Sequence, residues 1–219
     1  MRVNNEKKID KVEWSFSQKM YSNFWKRVFD LFFCLIGLII LIPVFIIVAV
    51  MIKLDSPGEV FFKQKRLGKD GKVFSIYKYR SMVVGAESKG SGVYSFKGDA
   101  RVTKVGGFIR KTSIDEIPQI FNILKGDMSF IGPRPTLTYH PWKVEDYSAF
   151  QKQRFLVKPG ITGRAQTKGR KEIEWTLRIK HDIDYIKSIS LLADLKIFFV
   201  TVFRVLAMKD NENKSETNK

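Results

Sequence analysis

The feature that most constrains this chain is a long apolar run near its N-terminus. Residues 31–52 contain no charged side chain, and most of them are Leu, Ile, Val or Phe. As an α-helix this run is about 33 Å long, close to the hydrocarbon thickness of a bilayer. A core helix of a soluble protein is seldom apolar on every face. The run therefore predicts a membrane segment, which we place at residues 21–53.

Whether this segment crosses the membrane is a separate question. Pro43 lies near its middle, where a proline removes one helical hydrogen bond and favours a kink. A spanning helix usually has more Lys and Arg on one flank than on the other. Here both flanks are basic, with Lys26 and Arg27 before the run and Lys53 after it. The pattern favours a helix that bends at Pro43 and returns to the same face, with a plain spanning helix as the alternative.

The whole chain is strongly basic, with 39 Lys and Arg against 22 Asp and Glu and a formal charge of +17. This excess predicts an anionic partner, such as a phosphorylated substrate, an anionic bilayer surface or a nucleic acid. The sequence has no zinc-finger, helix-turn-helix or RNA-binding signature, which argues against nucleic acid. Cys34 is the single cysteine, so no internal disulfide is predicted.

A β-hairpin is predicted after the membrane segment. Residues 60–62 and 73–77 are apolar or aromatic, and a Gly-Lys-Asp-Gly turn lies between them. Alternation along the second strand puts Lys78 and Arg80 on one side, which allows a convergent anion site. A solvated basic face is the alternative.

Asp115 and Glu116 are adjacent carboxylates within a basic stretch, RKTSIDEIPQ, that begins at Arg110. Pro118 favours a helix start close by, because proline is tolerated in the first turn. Acidic residues at a helix start often complement the helix dipole, so capping is the alternative to a chemical role. The same position also suits phosphate chemistry, since free N–H groups favour a bound phosphate.

Three other stretches have the composition of ligand-binding loops. Arg134 lies in Gly-Pro-Arg-Pro, where two prolines present the guanidinium rigidly enough to clamp a phosphate. Residues 158–170 are rich in glycine and include Lys158 and Arg170. Residues 85–99 are rich in Gly, Ser and Lys and fit either an active-site lid or a plain linker.

The C-terminal part contains a second apolar stripe at helical spacing. It predicts an amphipathic helix that packs either on the domain core or in the bilayer interface. Residues 208–219 are polar and are predicted to be disordered. The stripe consists of Leu191, Leu192, Leu195, Phe198, Phe199, Val202, Phe203 and Leu206.

Ten features in this order resemble the bacterial sugar transferase family, the monotopic phosphoglycosyl transferases. Each one is modest, but the ordered set is highly specific and extends from about Lys26 to Leu206. Besides the proline-containing apolar run, the features are Lys-Arg-x-Phe-Asp (26–30), Gln64-x-Arg66-x-Gly68, Phe74-x-x-x-Lys78-x-Arg80-x-Met82, Arg-Val-Thr-Lys-Val-Gly (101–106), Thr-Ser-Ile-Asp-Glu-x-Pro-Gln (112–119), Lys-Gly-Asp-Met-Ser (125–129), Gly-Pro-Arg-Pro (132–135), Lys-Pro-Gly-Ile-Thr-Gly (158–163) and Asp-Leu-Lys-Ile (194–197).

The resemblance implies an α+β fold attached to the bacterial inner membrane. A proline-broken, re-entrant helix (21–53) follows a polar extension (1–20). A catalytic domain (54–207), with a β-hairpin and amphipathic interfacial helices, lies on the cytoplasmic face before the tail (208–219). Ile42 stands where many relatives have Ser before the proline, and it cannot bond a freed carbonyl.

The resemblance also implies a reaction. Such enzymes transfer a sugar 1-phosphate from a UDP-sugar to undecaprenyl phosphate and release UMP, at the committed membrane step of surface polysaccharide or glycoconjugate synthesis. Asp115 corresponds to the nucleophile, which forms a phosphosugar–aspartyl intermediate. Both Asp115 and Glu116 correspond to residues at a magnesium ion. The phosphate-binding candidates are Arg134, Lys78, Arg110 and Arg80, and the further substrate-binding candidates are Asp182, Lys158 and Arg170.

Two other functions stay open at this stage. A cationic binding protein at a membrane surface would account for the charge and the apolar run. It would not account for the adjacent carboxylates Asp115 and Glu116, called the dyad below, or for the ordered loops. A hydrolase would form the same aspartyl intermediate and pass it to water. The sequence does not identify the sugar, and it leaves oligomers open.

Overall fold

The computed structural model places a small α+β domain against one long helix, and describes residues 11–88, 92, 95, 96, 98–169 and 174–207. Arg170, the predicted tail 208–219, residues 1–10 and part of the predicted lid lie outside the described residues. The elements are α1 (Phe16–Met20), α2 (Lys26–Asp55), β1 (Phe61–Leu67), β2 (Val73–Tyr79), α3 (Lys104–Lys111), α4 (Gln119–Lys125), β3 (Ser129–Ile131), α5 (Ala149–Lys152), β4 (Gly160–Thr162), α6 (Arg164–Lys168), α7 (Trp175–Lys187) and α8 (Leu191–Leu206).

Helices α1 and α2 join through a π-helical turn into one continuous helix, Phe16–Asp55. It is long and apolar enough to cross a membrane, and only 11% of its most apolar span is buried. Cys34, Val48 and Ile52 pack on the domain, whereas the opposite face exposes large apolar side chains such as Ile39 and Ile46. A helix with so much exposed apolar surface is typical of a membrane-associated segment.

Pro43 does not end the helix, and a change of helix direction there stays a prediction. Helix α2 continues through Pro43 from Lys26 to Asp55, and Pro43 lies on its exposed face. Proline removes a single backbone hydrogen bond. Packing on both sides of it holds the helix together, because Cys34 and Ile52 are buried on either side.

Both ends of α2 are fastened to the same domain. Near the N-terminal end, Asp30 accepts hydrogen bonds from Ser129 Oγ at 3.0 Å and from the Phe130 amide at 3.1 Å. At the C-terminal end, Asp55 Oδ2 accepts a hydrogen bond from the Val105 amide at 2.9 Å. Phe45, between them, packs on Tyr79 with ring centroids 5.8 Å apart. The whole length of α2 therefore lies along the domain.

The predicted hairpin is confirmed, and its strands are longer than expected. Strands β1 and β2 pair antiparallel from Phe61 opposite Tyr79 to Leu67 opposite Val73. Asp70 has a φ of 57°, so the turn uses the left-handed region.

A second sheet, which the sequence did not predict, brings two loops together. Strands β3 and β4 are parallel, with Ser129 opposite Gly160 and Ile131 opposite Thr162. A Cβ atom on Gly160 would lie 2.1 Å from the Gly132 nitrogen, so only glycine fits there. This contact sets the Gly-Pro-Arg-Pro turn against the turn before α6.

Helix α8 buries its acidic residue and exposes its apolar stripe. Tyr21 and Tyr185 each donate a hydrogen bond of 2.7 Å to Asp194, which also forms an ion pair with Lys26. On the outer face, the side chains of Leu192 and Phe203 are 77% and 70% exposed. The stripe is therefore not core packing, and the interfacial alternative is favoured.

Part of the N-terminal extension also packs on the domain. Trp14 Nε1 donates a hydrogen bond of 2.8 Å to the carbonyl of Ile186, and Ser15 caps α1. The polar composition of residues 1–20 gave no reason to expect this.

Candidate active site

The dyad lies in a 3₁₀ turn, Ile114–Glu116, between α3 and α4. Ser113, just before it, has a φ of 60°, which is uncommon for a residue with a side chain. The N-cap of α4 is Pro118, and no side chain caps either the turn or the helix. Neither Asp115 nor Glu116 therefore caps a helix through a side-chain hydrogen bond.

The carboxylate of Glu116 is held by two cations from different elements. Lys78 Nζ, at the end of β2, lies 2.7 Å from Oε1. Arg134, in the turn after β3, donates from Nη2 to Oε1 at 2.6 Å and from Nη1 to Oε2 at 3.3 Å. Burial alone would raise the pKa of Glu116, but the charges of Arg134 and Lys78 outweigh it and hold that pKa well below its usual range. Glu116 is therefore ionised and firmly positioned.

Asp115 is left comparatively free. Its nearest cation is Lys78, 3.8 Å from Oδ2, and it accepts no hydrogen bond in the part of the chain that the structure describes. Burial raises the pKa of Asp115, the Lys78 ammonium opposes this, and the neighbouring Glu116 charge adds to it. The side chain of Asp115 is 14% exposed. A carboxylate next to cations and without hydrogen bonds is suited to act as a nucleophile in its ionised form.

These residues line a pocket of about 580 Å³ between α2 and α8. One end is charged, with the dyad and its cations. The other walls are mostly apolar, and α2 and α8, whose outer faces are exposed, contribute to them together with α4, β3 and β4. The lining includes Lys78, Arg110, Asp115, Glu116 and Arg134 at the charged end and Leu41, Phe198, Val202, Val205, Thr162, Gln166 and Thr201 on the other walls.

Arg110 lies where a phosphate-binding group is expected. It belongs to the last turn of α3, lines the pocket and acts electrostatically on Asp115. Arg110, Lys78 and Arg134 thus line one pocket with the two carboxylates, and their binding of phosphate stays a prediction.

Arg80 does not lie at this pocket. Its guanidinium donates hydrogen bonds of 2.7 Å to the carbonyls of Ser56 and Pro57, at the C-terminal end of α2. With a further contact of 3.3 Å to the carbonyl of Ile52, they tie Arg80 to the last turn of α2 and the segment that follows it. We therefore assign Arg80 a structural position in place of the predicted phosphate-binding one.

Asp182 and Lys158 are also outside the pocket. Asp182 is buried and forms an ion pair of 2.8 Å with Arg154. Arg154 in turn donates a hydrogen bond of 3.0 Å to the carbonyl of Arg134, so Asp182 supports the turn that carries Arg134. Lys158 lies beside Gly126 and Arg27, and Arg170 is outside the described residues.

The donor set for a magnesium ion is small. The described residues contain no cluster of three or more His, Cys, Asp or Glu side chains that could hold a metal. Glu116 already uses both oxygens with Arg134, which leaves Asp115 as the available carboxylate. Magnesium bound by one or two carboxylates and substrate phosphates is common, so Asp115 with a diphosphate fits such an ion.

Sequence reasoning missed the neutral polar residues of the pocket. Thr162 and Gln166 belong to the Gly-rich stretch, and Thr201 lies in the C-terminal stripe. Their spacing along the chain carries no signal. Only the parallel pairing of β3 with β4 and the position of α8 bring them to the dyad.

Comparison with known proteins decides the family. Residues 21–208 match the profile of the bacterial sugar transferases. The chain belongs to this family. An uncharacterized sugar transferase, EpsL, from Bacillus subtilis is 44% identical over 199 residues, which cover 88% of this chain and 91% of that protein.

Two relatives of the family have names that state a reaction. The UDP-glucose:undecaprenyl-phosphate glucose-1-phosphate transferase of Klebsiella pneumoniae is 42% identical over 82% of this chain and 40% of its own length. The UDP-N-acetylgalactosamine-undecaprenyl-phosphate N-acetylgalactosaminephosphotransferase of Aeromonas hydrophila is 42% identical over 84% of this chain and 44% of its own length. The chain thus spans about two fifths of these two relatives.

Proposed function

We propose that this family member transfers a sugar 1-phosphate from a UDP-sugar to undecaprenyl phosphate, releases UMP, and so starts the synthesis of a surface polysaccharide or glycoconjugate. The observation that carries the proposal is the asymmetry of the dyad. Glu116 is held by Lys78 and Arg134, while Asp115 is free beside it at the charged end of a large pocket. The named relatives with sugar-1-phosphate reactions support the same chemistry.

In the first half-reaction, Asp115 is the nucleophile. A carboxylate oxygen of Asp115 forms a bond to the β-phosphorus of the UDP-sugar, and the bond from that phosphorus to the bridging oxygen breaks. The bridging oxygen keeps the electron pair and leaves as part of UMP. Lys78, Arg110 and Arg134 lie near the dyad and neutralise the charge that develops on the phosphoryl oxygens.

In the second half-reaction, a phosphate oxygen of the lipid attacks the same phosphorus. The acyl-phosphate bond breaks and Asp115 returns as a carboxylate. A covalent intermediate lets two anionic substrates use one phosphate site in turn, so they need not be bound together. A magnesium ion, held by Asp115 and the diphosphate with Glu116 close by, would add charge neutralisation when bound.

The apolar walls of the pocket suit a lipid acceptor. Leu41 from α2 and Phe198, Val202 and Val205 from α8 form part of the lining. The outer faces of both helices are apolar and exposed, so these two helices contribute both to the pocket wall and to the exposed apolar surface. A polyprenyl chain can therefore reach the charged end from the bilayer.

We also propose that α2 is re-entrant in the inner membrane, with the catalytic domain on the cytoplasmic face and basic residues against anionic lipid. The support is that Asp30 and Asp55, near opposite ends of α2, bond to the same domain. A helix that crossed the bilayer would carry one end away from that domain.

The reaction is tested by measuring UMP release from detergent-solubilised protein with magnesium, undecaprenyl phosphate and a panel of UDP-sugars. We expect acceptor-dependent release from one or a few donors, and loss of it in Asp115→Asn. Without acceptor, release should stop near one UMP per protein. Continuous release without acceptor would identify a hydrolase and contradict the transfer step.

A further inference from the structure

One wall of the pocket carries an amide whose hydrogen-bonding groups are unused. Gln166 lies in α6 and lines the pocket. Its Nε2 and Oε1 atoms are both buried, and neither has a hydrogen-bond partner among the residues that the structure describes. Buried amide groups in proteins nearly always have partners, so an unpartnered amide at a pocket indicates a missing ligand group.

The backbone fixes Gln166 beside the turn that carries Arg134. A Cβ atom on Gly163 would lie 2.1 Å from the carbonyl oxygen of Gly132, so the start of α6 is packed directly on the turn that carries Arg134. The same Cβ atom would lie 3.1 Å from Gln166 Oε1, which shows that the Gln166 side chain folds back over Gly163. Within the described ranges no hydrogen bond holds the amide there, so a change of side-chain torsion can turn it towards the pocket.

The neighbouring hydroxyl groups on this wall already have partners. Thr162 Oγ1 and Thr201 Oγ1 are 2.8 Å apart and share a hydrogen bond. Thr201 Oγ1 also lies 2.8 Å from the carbonyl oxygen of Ile197 and donates to it. On the wall formed by β4, α6 and α8, Gln166 is thus the described polar side chain whose hydrogen-bonding groups are unused.

We propose that Gln166 binds the sugar of the donor and helps to select which sugar is transferred. This inference rests on the proposed function. The phosphates are matched by Lys78, Arg110 and Arg134, whereas a carboxamide offers two donor hydrogens and an acceptor oxygen to neutral hydroxyl or acetamido groups. The sugar stays on the protein through both half-reactions, so a neutral group beside Arg134 is placed to hold it.

The variant Gln166→Leu tests the proposal, because Leu is similar in size and cannot form hydrogen bonds. We expect kcat/KM for the preferred UDP-sugar to fall about tenfold or more. The ratio of this kcat/KM to that of the second-best donor should become smaller. The affinity for UMP, which has no sugar beyond the ribose, should not change. Loss of UMP affinity by the same factor would assign Gln166 to the nucleotide and overturn the proposal, as would unchanged donor ratios.

Gln119→Leu is the matched control. Gln119 is also buried and its Nε2 also lacks a partner, but it does not line the pocket. Its replacement should leave the ratios between donors unchanged, even if stability changes. Thermal unfolding of both variants shows whether a loss of activity is a loss of fold; Gln166→Leu should unfold near the wild-type temperature, since it removes an unpartnered amide.

The proposed function and this inference fail in different ways. If wild type releases no UMP from any donor, the proposed function fails. UDP-sugar and UMP binding to wild type and Gln166→Leu, measured by calorimetry, then still decides whether Gln166 contacts the sugar. If wild type is active and Gln166→Leu keeps the same donor ratios and affinities, the sugar contact alone is refuted.

Discussion

The guanidinium of Arg134 holds the carboxylate of Glu116 with two nitrogens, at 2.6 and 3.3 Å, and leaves the adjacent Asp115 without a hydrogen bond in the described part of the chain. Two neighbouring carboxylates are thereby given different surroundings. The negative charge of Glu116 is balanced by cations and its position is fixed, whereas Asp115 is available to react. This difference suits a site where one carboxylate attacks phosphorus and the other orders the cations.

Arg134→Lys should lower kcat/KM for UMP release about tenfold to a hundredfold, because lysine cannot make the two-nitrogen contact with Glu116 or clamp a phosphate in the same way. Lys65→Met removes a charge on the exposed face of β1 and is the control for a purely electrostatic effect. Arg134→Lys keeps the charge, so full activity in this variant together with a loss in Lys65→Met would show that net charge, not geometry, is what matters.

The pH dependence of the first turnover, measured as the burst of UMP, should depend on Lys78 on its acid side. Burial raises the pKa of Asp115 above its ordinary value and Lys78 opposes that rise. Since the ionised form attacks, the burst of UMP is lost as pH falls through this raised pKa. Lys78→Met removes the opposing charge, raises the pKa further and should move the acid limb to higher pH. Burst amplitudes measured over a series of pH values test this. If wild type and Lys78→Met lose the burst at the same pH, Lys78 does not control the pKa of Asp115.

Asp182→Asn should destabilise the domain by about 3–5 kcal/mol, because it leaves the buried Arg154 without its counter-charge. Chemical denaturation in detergent measures the change. Replacing both residues with apolar ones, as in Arg154→Met with Asp182→Leu, should recover much of the lost stability. If Asp182 bound substrate directly, Asp182→Asn would instead weaken donor affinity at unchanged stability.

The path of α2 is open to a labelling test. In a Cys34→Ala background, single cysteines at the exposed positions Glu13 and Glu59 lie before and after the long helix. A membrane-impermeant maleimide should label both cysteines in inside-out vesicles and neither in right-side-out vesicles. A control cysteine at Thr176, in the domain, should show the same pattern. Labelling of Glu13→Cys and Glu59→Cys from opposite sides would show a spanning helix.

The local parts of this site could be predicted from the sequence, and its assembly could not. The hairpin, the helix that ends at Gly126 and the dyad itself follow from turn residues, periodicity and charge. The exclusion of Arg80 could not be foreseen, because its partners are carbonyls at the end of α2, more than 20 residues earlier. Gln166 was missed for the same reason, since β3–β4 pairing brings it to Arg134.

Covalent capture on Asp115 tests the central claim most directly. The protein is mixed with its UDP-sugar donor in the absence of undecaprenyl phosphate, and its intact mass and peptides are measured. The account predicts an added sugar phosphate on the peptide that contains Asp115, formed together with one UMP and absent from Asp115→Asn. UMP release that needs the acceptor, with no adduct at any time, would show direct transfer between the substrates and contradict the account.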